Sequence, residues 1–325
     1  MAVAPSPSFT SAPPPHSRGG IGLAQGRYGA RGNLELVLCD EDEGLWVLWH
    51  NTDPESTPTP EGAPPPGEWS GGLHFAAGRR YDEVRVLQSR NGPDHLELLA
   101  RSGRTAHRLR WSPEAAFTAE ASPEGRPLPG VALAETDDGA LWTVLSPASG
   151  TGPAELYRAD PARHPELDWS PAGPLDAPEG PPPHQVALLA VPGAVRPAVL
   201  TVLAARSRWT SPDGAVSELP GAGHAAAVHR PDGPLVFLSD GRDDLLVVRP
   251  GTPRHRTVRL PGTGPVGALA ATVVQHDPRR TDLVVRRGES LWHLTDLGPG
   301  TEPVARPLVS TVRREAGGTA PVHRR

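Results

Sequence analysis

A β-propeller of six four-stranded blades is the fold this sequence predicts. Three observations predict it. Glycine and proline account for 36 and 41 of the 325 residues, so turn signals interrupt nearly every stretch of ten and leave no room for long helices. Between those signals lie short runs rich in valine and leucine, with no convincing 3.6-residue period over eleven residues or more. Two independent tryptophan markers then recur at a spacing of about 45 to 50 residues, which is one blade.

The first marker is Trp followed by Ser or Thr: Trp69-Ser70, Trp111-Ser112, Trp169-Ser170 and Trp209-Thr210. The second is a polar turn entering a Leu-Trp strand, at Gly44-Leu45-Trp46, Gly139-Ala140-Leu141-Trp142 and Glu289-Ser290-Leu291-Trp292. Strand-like runs fill the intervals, among them 33–38, 45–50, 83–88, 95–100, 197–203, 235–239, 244–249 and 282–286. They define six blades over 20–80, 81–125, 126–182, 183–222, 223–263 and 264–312. In the third, Leu141-Trp142 fits either the second or the third strand. Seven blades is the alternative, with the extra blade drawn partly from the chain ends. A small sheet cannot bury both faces alone, and packing blades around an axis buries them.

The expected organisation is a disordered Pro-rich segment over 1–19, one propeller over 20–312 and a basic tail over 313–325. The Pro-rich stretches 4–15, 53–67 and 172–183 are expected to be mobile loops or tails that cannot pack a core.

Composition removes several chemistries. The chain has no lysine, so there is no Schiff-base or P-loop lysine. Its 32 basic residues are all arginine, a bias of GC-rich coding such as that of actinobacteria. One cysteine, Cys39, excludes an internal disulfide and a Cys-rich zinc site. A net charge of −5 and a pI near 6.2 argue against nucleic acid as a partner. No apolar run approaches the ~20 residues of a membrane helix, and residues 1–20 show no secretory signal pattern. The expected location is the cytoplasm, with no membrane partner. Export by another route stays open, as does the oligomeric state.

Three local patterns read as structure. Asp40-Glu41-Asp42-Glu43-Gly44 lacks the oxygen spacing of a calcium loop and reads as a solvated hairpin turn. Gly262-Thr263-Gly264-Pro265-Val266-Gly267 matches a dinucleotide fingerprint in letters only: a proline interrupts it and a strand follows, so it reads as a linker between blades. His224 and His229 are five apart and point to opposite faces of a strand. No metal ligand set, cofactor motif or catalytic signature emerges, so no cofactor and no catalytic residue are assigned.

The run Gly32-Asn33-Leu34-Glu35-Leu36-Val37, then Gly44-Leu45-Trp46-Val47-Leu48-Trp49-His50-Asn51-Thr52-Asp53, then Trp69, resembles a blade of the Photorhabdus-type lectin and tectonin-like propellers. Gln88-Ser89, His95-Leu96-Glu97-Leu98 and Trp111 keep a trace of it. The resemblance implies a toroid that binds sugars in clefts between blades, with aromatic rings stacking on the sugar and polar groups bonding its hydroxyls. It assigns ligand binding to Trp46, Trp49, His50, Asn51 and Trp69. The polar ending His-Asn-Thr-Asp occurs once, where such sites repeat around the ring. Eight tryptophans against three tyrosines supply flat rings for stacking, and equally supply packing between blades. The leading expectation is therefore a non-enzymatic recognition module for a glycan. A protein-interaction scaffold is the alternative, and a metal-dependent propeller hydrolase or lactonase the third reading.

Overall fold

The computed structural model describes residues 8–26, 32–54, 64–90, 92, 94–147, 152–160, 169–175, 183–239, 243–295, 297 and 302–314. Among them every regular element is a strand. The first strand among the described residues is β1 (Ser8–Ala12), and six sheets follow in chain order. Blade 1 holds β2 (Ser17–Gln25), β3 (Asn33–Asp40), β4 (Leu45–Asn51) and an outer strand split into β5 (Trp69–Ser70) and β6 (Leu73–Phe75). Blade 2 holds β7 (Glu83–Gln88), β8 (Leu96–Ser102), β9 (Thr105–Ser112) and β10 (Ala116–Glu120). Blade 3 has β11 (Arg126–Pro127) and β12 (Ala134–Glu135) both paired to β13 (Leu141–Ser146), then β14 (Glu155–Ala159) and β15 (Ser170–Pro174). Blade 4 is β16 (Gln185–Leu189), β17 (Ala198–Val202), β18 (Ser207–Thr210) and β19 (Val216–Leu219). Blade 5 is β20 (Ala225–Arg230), β21 (Gly233–Ser239), β22 (Asp244–Val248) and β23 (His255–Arg259). Blade 6 is β24 (Val266–Val274), β25 (Asp277–Arg287), β26 (Ser290–Thr295) and β27 (Val304–Pro307), after which β28 (Ser310–Arg314) leaves for blade 1.

The six-bladed propeller is therefore the fold. Each blade is an antiparallel meander running from the axis outward. The ring closes at blade 1, where β28 runs parallel to β5 and β1 pairs antiparallel with β28. Two expectations need correction here. Residues 8–12 form a strand and 17–19 begin the next, inside the segment 1–19 expected to be disordered; closure of the ring gives a proline-flanked segment a backbone partner that composition cannot reveal. The stretch 172–183 begins within β15, while 55–63 and 176–182 of the Pro-rich loops, and 315–325 of the tail, lie outside the described residues.

Six hydrophobic clusters fill the six seams between blades. Between blades 1 and 2 lie Val37, Cys39, Leu45, Val47, Val84 and Leu98, among others. Between blades 6 and 1 lie Ile21, Leu36, Leu48, Trp69, Val284 and Leu291. Trp142 and Trp209 are buried in the seams between blades 3 and 4 and between blades 4 and 5. The seam between blades 2 and 3 has the smallest apolar cluster, Leu99, Ala106, Val131 and Leu145, and carries buried charge instead.

Local chemistry explains the turns. Asp40 closes the β3–β4 hairpin: its Oδ1 accepts from the amides of Asp42 (2.8 Å) and Glu43 (3.1 Å), and its Oδ2 accepts from Trp46 Nε1 (2.5 Å). The glycine-rich 262–267 run comprises the end of the link from blade 5 to blade 6 and the first two residues of β24. Buried Arg287 fastens it by donating to Gly264 O (3.1 and 2.9 Å), Leu260 O (2.9 Å) and Asp243 Oδ1 (2.5 Å). Gly19, at φ +61° in the bulge of β2, presses on blade 2 so closely that a Cβ would lie 2.1 Å from Asp82 O. Gly19→Ala is expected to destabilise the protein by about 2 kcal/mol, read as a lowered denaturation midpoint at unchanged m-value.

Candidate functional site

Successive residues of a strand point to opposite faces of the sheet. In β4 this sorts the five residues assigned from the sequence. Leu45 and Val47 face blade 2, and Trp49 and Asn51 share that parity. Trp46 and Leu48 face blade 6, with His50 and its cross-strand neighbour Trp69 on the same side. The structure thus divides the set between two seams.

The seam between blades 6 and 1 is closed. His50 is 7% exposed and Trp69 4%. Their ring centroids are 5.0 Å apart, and His293 of β26 packs edge-on against both, at 5.0 and 5.4 Å. Behind His293 sits Asp282, fully buried. It accepts from His293 Nε2 (3.2 Å) and from Arg280 Nε and Nη2 (2.8 and 3.0 Å). Burial would raise the Asp282 carboxyl, but the bonds and charges of His293 and Arg280 hold it below the usual carboxylate range. Burial, then the neighbouring His293, pushes His50 down to about 3. Trp46, at the far end of the same face, is tied to Asp40 and tilts against His74 at 4.9 Å.

The cleft between blades 1 and 2 differs. Asn51 there is spent on its loop, donating to Pro64 O (2.9 Å) and accepting from the Asp53 amide (3.0 Å). Trp49 is half-buried, and no described residue hydrogen-bonds its indole N–H. Its cross-strand partner on this face is Glu35. Asn33 Nδ2 donates to Glu35 Oε1 at 2.5 Å. Burial, then the nearby charge of Asp94, pushes the Glu35 carboxyl up to about 8, so it carries a proton at neutral pH. From blade 2 come Asp94, held at φ +59°, and Gln88, which shares the blade-1-facing parity of Val84 and Val86. Asp94 Oδ1 and Gln88 Oε1 are buried acceptors without a hydrogen-bond partner among the described residues. Two unmet acceptors from blade 2, one of them within electrostatic reach of Glu35, and a protonated carboxyl opposite the half-buried Trp49 in the ladder can receive a ligand rich in hydroxyl groups.

A cavity of about 540 Å³ opens at the axis beside this cleft, where the inner strands end. Leu23, Val86, Leu133 and Leu188 wall it, and Gln25, Gln88, Glu135, His229 and Gln275 lie toward its polar side. Several of these polar groups are tied to their neighbours. Gln25 bonds Gly26 O, Asn33 O and the Gln275 amide, and Glu135 accepts from Ser89 Oγ (3.0 Å) and the Arg90 amide (2.7 Å). Deeper, the axis is lined by Ala132, Ala187, Ala225, Ala226 and Ala270. Among the described residues no three His, Cys, Asp or Glu side chains converge as a cation site.

Glu35, Gln88 and Asp94 escaped the sequence-based selection. The available signal was parity: Glu35 is the one charged residue in the interior of β3, where it lies on the same face as Trp49.

No family model matches the chain, and no curated protein matches it. Solved structures do. AofleA from Arthrobotrys oligospora superposes with a TM-score of 0.65 at 11% identity, covering 95% of this chain and 92% of that one. The BP39L lectin from Burkholderia pseudomallei gives 0.56 at 14% identity, over 90% and 99% of the two chains. The Aleuria aurantia lectin, a six-bladed β-propeller described with a novel fucose recognition mode, gives 0.57 at 11%, over 94% and 98%. At these identities the likeness shows the shared propeller fold. The described residues contain no helix long and apolar enough to cross a membrane.

Proposed function

We propose that this chain is a lectin-like recognition propeller that binds a neutral glycan in the cleft between blades 1 and 2. Trp49 offers the stacking surface, and Glu35, Gln88 and Asp94 meet the sugar hydroxyls. The observation that carries this reading is the pair of buried, unpartnered acceptors Gln88 Oε1 and Asp94 Oδ1 on the Trp49 side of blade 1. Leaving such atoms unmet costs about 1–3 kcal/mol each, and ligand hydroxyls would supply the missing donors. The fold likeness to lectins, one described with fucose recognition, supports the same class of ligand. Of the five residues that the first-blade motif nominates, Trp49 is the ligand-facing member. Asn51 holds the loop beside the cleft, whereas Trp46, His50 and Trp69 pack on the opposite face of blade 1, toward blade 6.

Glycan-array binding, followed by titration of the best glycan, tests this. Trp49→Ala should weaken binding about tenfold to a hundredfold. His229→Ala, on the axial rim, should leave it unchanged. A flat array together with a protein partner whose binding needs Trp49 would replace the glycan reading with an interaction scaffold.

A further inference from the structure

We propose that the outer hairpin of blade 5, formed by β22 and β23, is a second binding site whose ligand is an anionic polysaccharide bearing sulfate or carboxylate groups. The site is independent of the blade 1–2 cleft. Charge is segregated along the chain: residues 1–224 carry 17 arginines against 27 carboxylates, whereas residues 225–325 carry 15 against 10. Within the second part, the 32 residues from Leu245 to His276 include four arginines and two histidines and no carboxylate at all. Four of those six cations fall in the hairpin's outer limb, as Arg254-His255-Arg256 and Arg259.

The fold turns this run into a surface. Arg254, His255 and Arg259 are exposed, and Arg254 and Arg259 have no ion-pair partner among the described residues. Arg249, at the start of the turn, is already spent on Asp232 at 2.5 Å. One carboxylate, Asp244, stands opposite Arg259 in the register, so the run is basic but not uniformly so. Among the described residues β23 pairs only with β22, which leaves the backbone N–H groups of its outer edge without a strand partner there, beside the guanidinium groups. On the next outer strand, Arg306 is also exposed. Planar guanidinium forks match sulfate and carboxylate oxygens two at a time. The 245–276 run contains no Phe, Tyr or Trp, so it lacks the large aromatic platforms on which bases of single-stranded nucleic acid stack.

The test is titration of the full chain with heparin, with uncharged dextran and with a short DNA duplex as comparators. Heparin should bind, and its affinity should fall steeply as salt rises from about 0.05 to about 0.3 M. The exposed double substitution Arg254→Gln/Arg259→Gln should weaken heparin binding about tenfold while leaving the melting temperature unchanged. Trp49→Ala should not alter heparin binding, which separates failure of this site from failure of the neutral-glycan cleft. Absence of heparin binding at low salt, indifference to the double substitution, or equal affinity for the duplex would each overturn the proposal. An increase in aggregation of the double variant with unchanged heparin affinity would overturn it too, and assign the charges to edge protection.

Discussion

Replacing Arg108 with alanine is expected to cost about 3–5 kcal/mol, lowering the melting temperature by about 10 °C. Arg108 and Glu97 are each 2% exposed at the side chain. The guanidinium forks onto the carboxylate through Nε–Oε2 (2.9 Å) and Nη2–Oε1 (2.8 Å). Burial raises the Glu97 carboxyl even with Arg108 in place, and the bonds and charge of Arg108, with a lesser contribution from the Arg110 charge, restrain it. Removing the arginine strands an acidic group on the blade 2 face of the seam with the smallest apolar cluster. The cost should shrink on acidification, as Glu97 takes up a proton. The double substitution Arg108→Met/Glu97→Leu should recover most of the loss, because it removes both desolvation penalties and enlarges the apolar seam. Equal damage from the single and double variants would show that shape, not stranded charge, sets the cost.

The repeat was legible because it is written in turns and seams. Blade length follows from four short strands and their turns, and the tryptophan markers sample it. They do not sample one position, however. Trp69 and Trp169 border fourth strands, while Trp111 and Trp209 end third strands. Trp46 and Trp292 open third strands, whereas Trp142 lies on the second. The spacing survived because an offset of one strand is small beside a blade. The candidate site was less legible for the opposite reason. A binding cleft is assembled across two blades, and which face a residue joins depends on strand parity rather than proximity in sequence. Trp49 and His50 are neighbours in the chain and belong to different seams. Ring closure by β1 and β28 pairs residues some 300 positions apart with few apolar side chains, so no local pattern announces it.

Stability is expected to be greatest between about pH 4.5 and pH 6.5 and to fall on both sides, steeply in acid. On the acid side His50 dominates. It binds its proton near pH 3 in the fold and near 6.5 when unfolded, so between those values the unfolded chain holds the extra proton and stability rises with pH. Taken to pH 3 this amounts to about 4 kcal/mol. His107, His224 and His229, also pushed down by burial, act in the same direction, and Asp282, whose stabilised ionised form is lost below its usual range, adds to the acid loss. Glu35 acts in the opposite sense. Its carboxyl holds a proton up to about pH 8 in the fold but loses it near 4.5 when unfolded, so stability falls as pH rises between them. Glu83, Glu97 and Glu135, raised by burial, reinforce this limb. From 4.5 to 6.5 the two effects offset each other. Below 4.5 only the acid limb remains. Because Glu35 keeps some contact with solvent, the alkaline limb should be the shallower. Denaturant midpoints measured at pH 3.5, 5.5 and 8 check the profile. Glu35→Gln should reduce the alkaline loss and leave stability rising from pH 4.5 to 6.5, and His50→Gln should reduce the acid loss and leave stability falling over that same interval. An acid limb that persists undiminished in His50→Gln would remove the closing seam between blades 6 and 1 as the point where acid opens the ring.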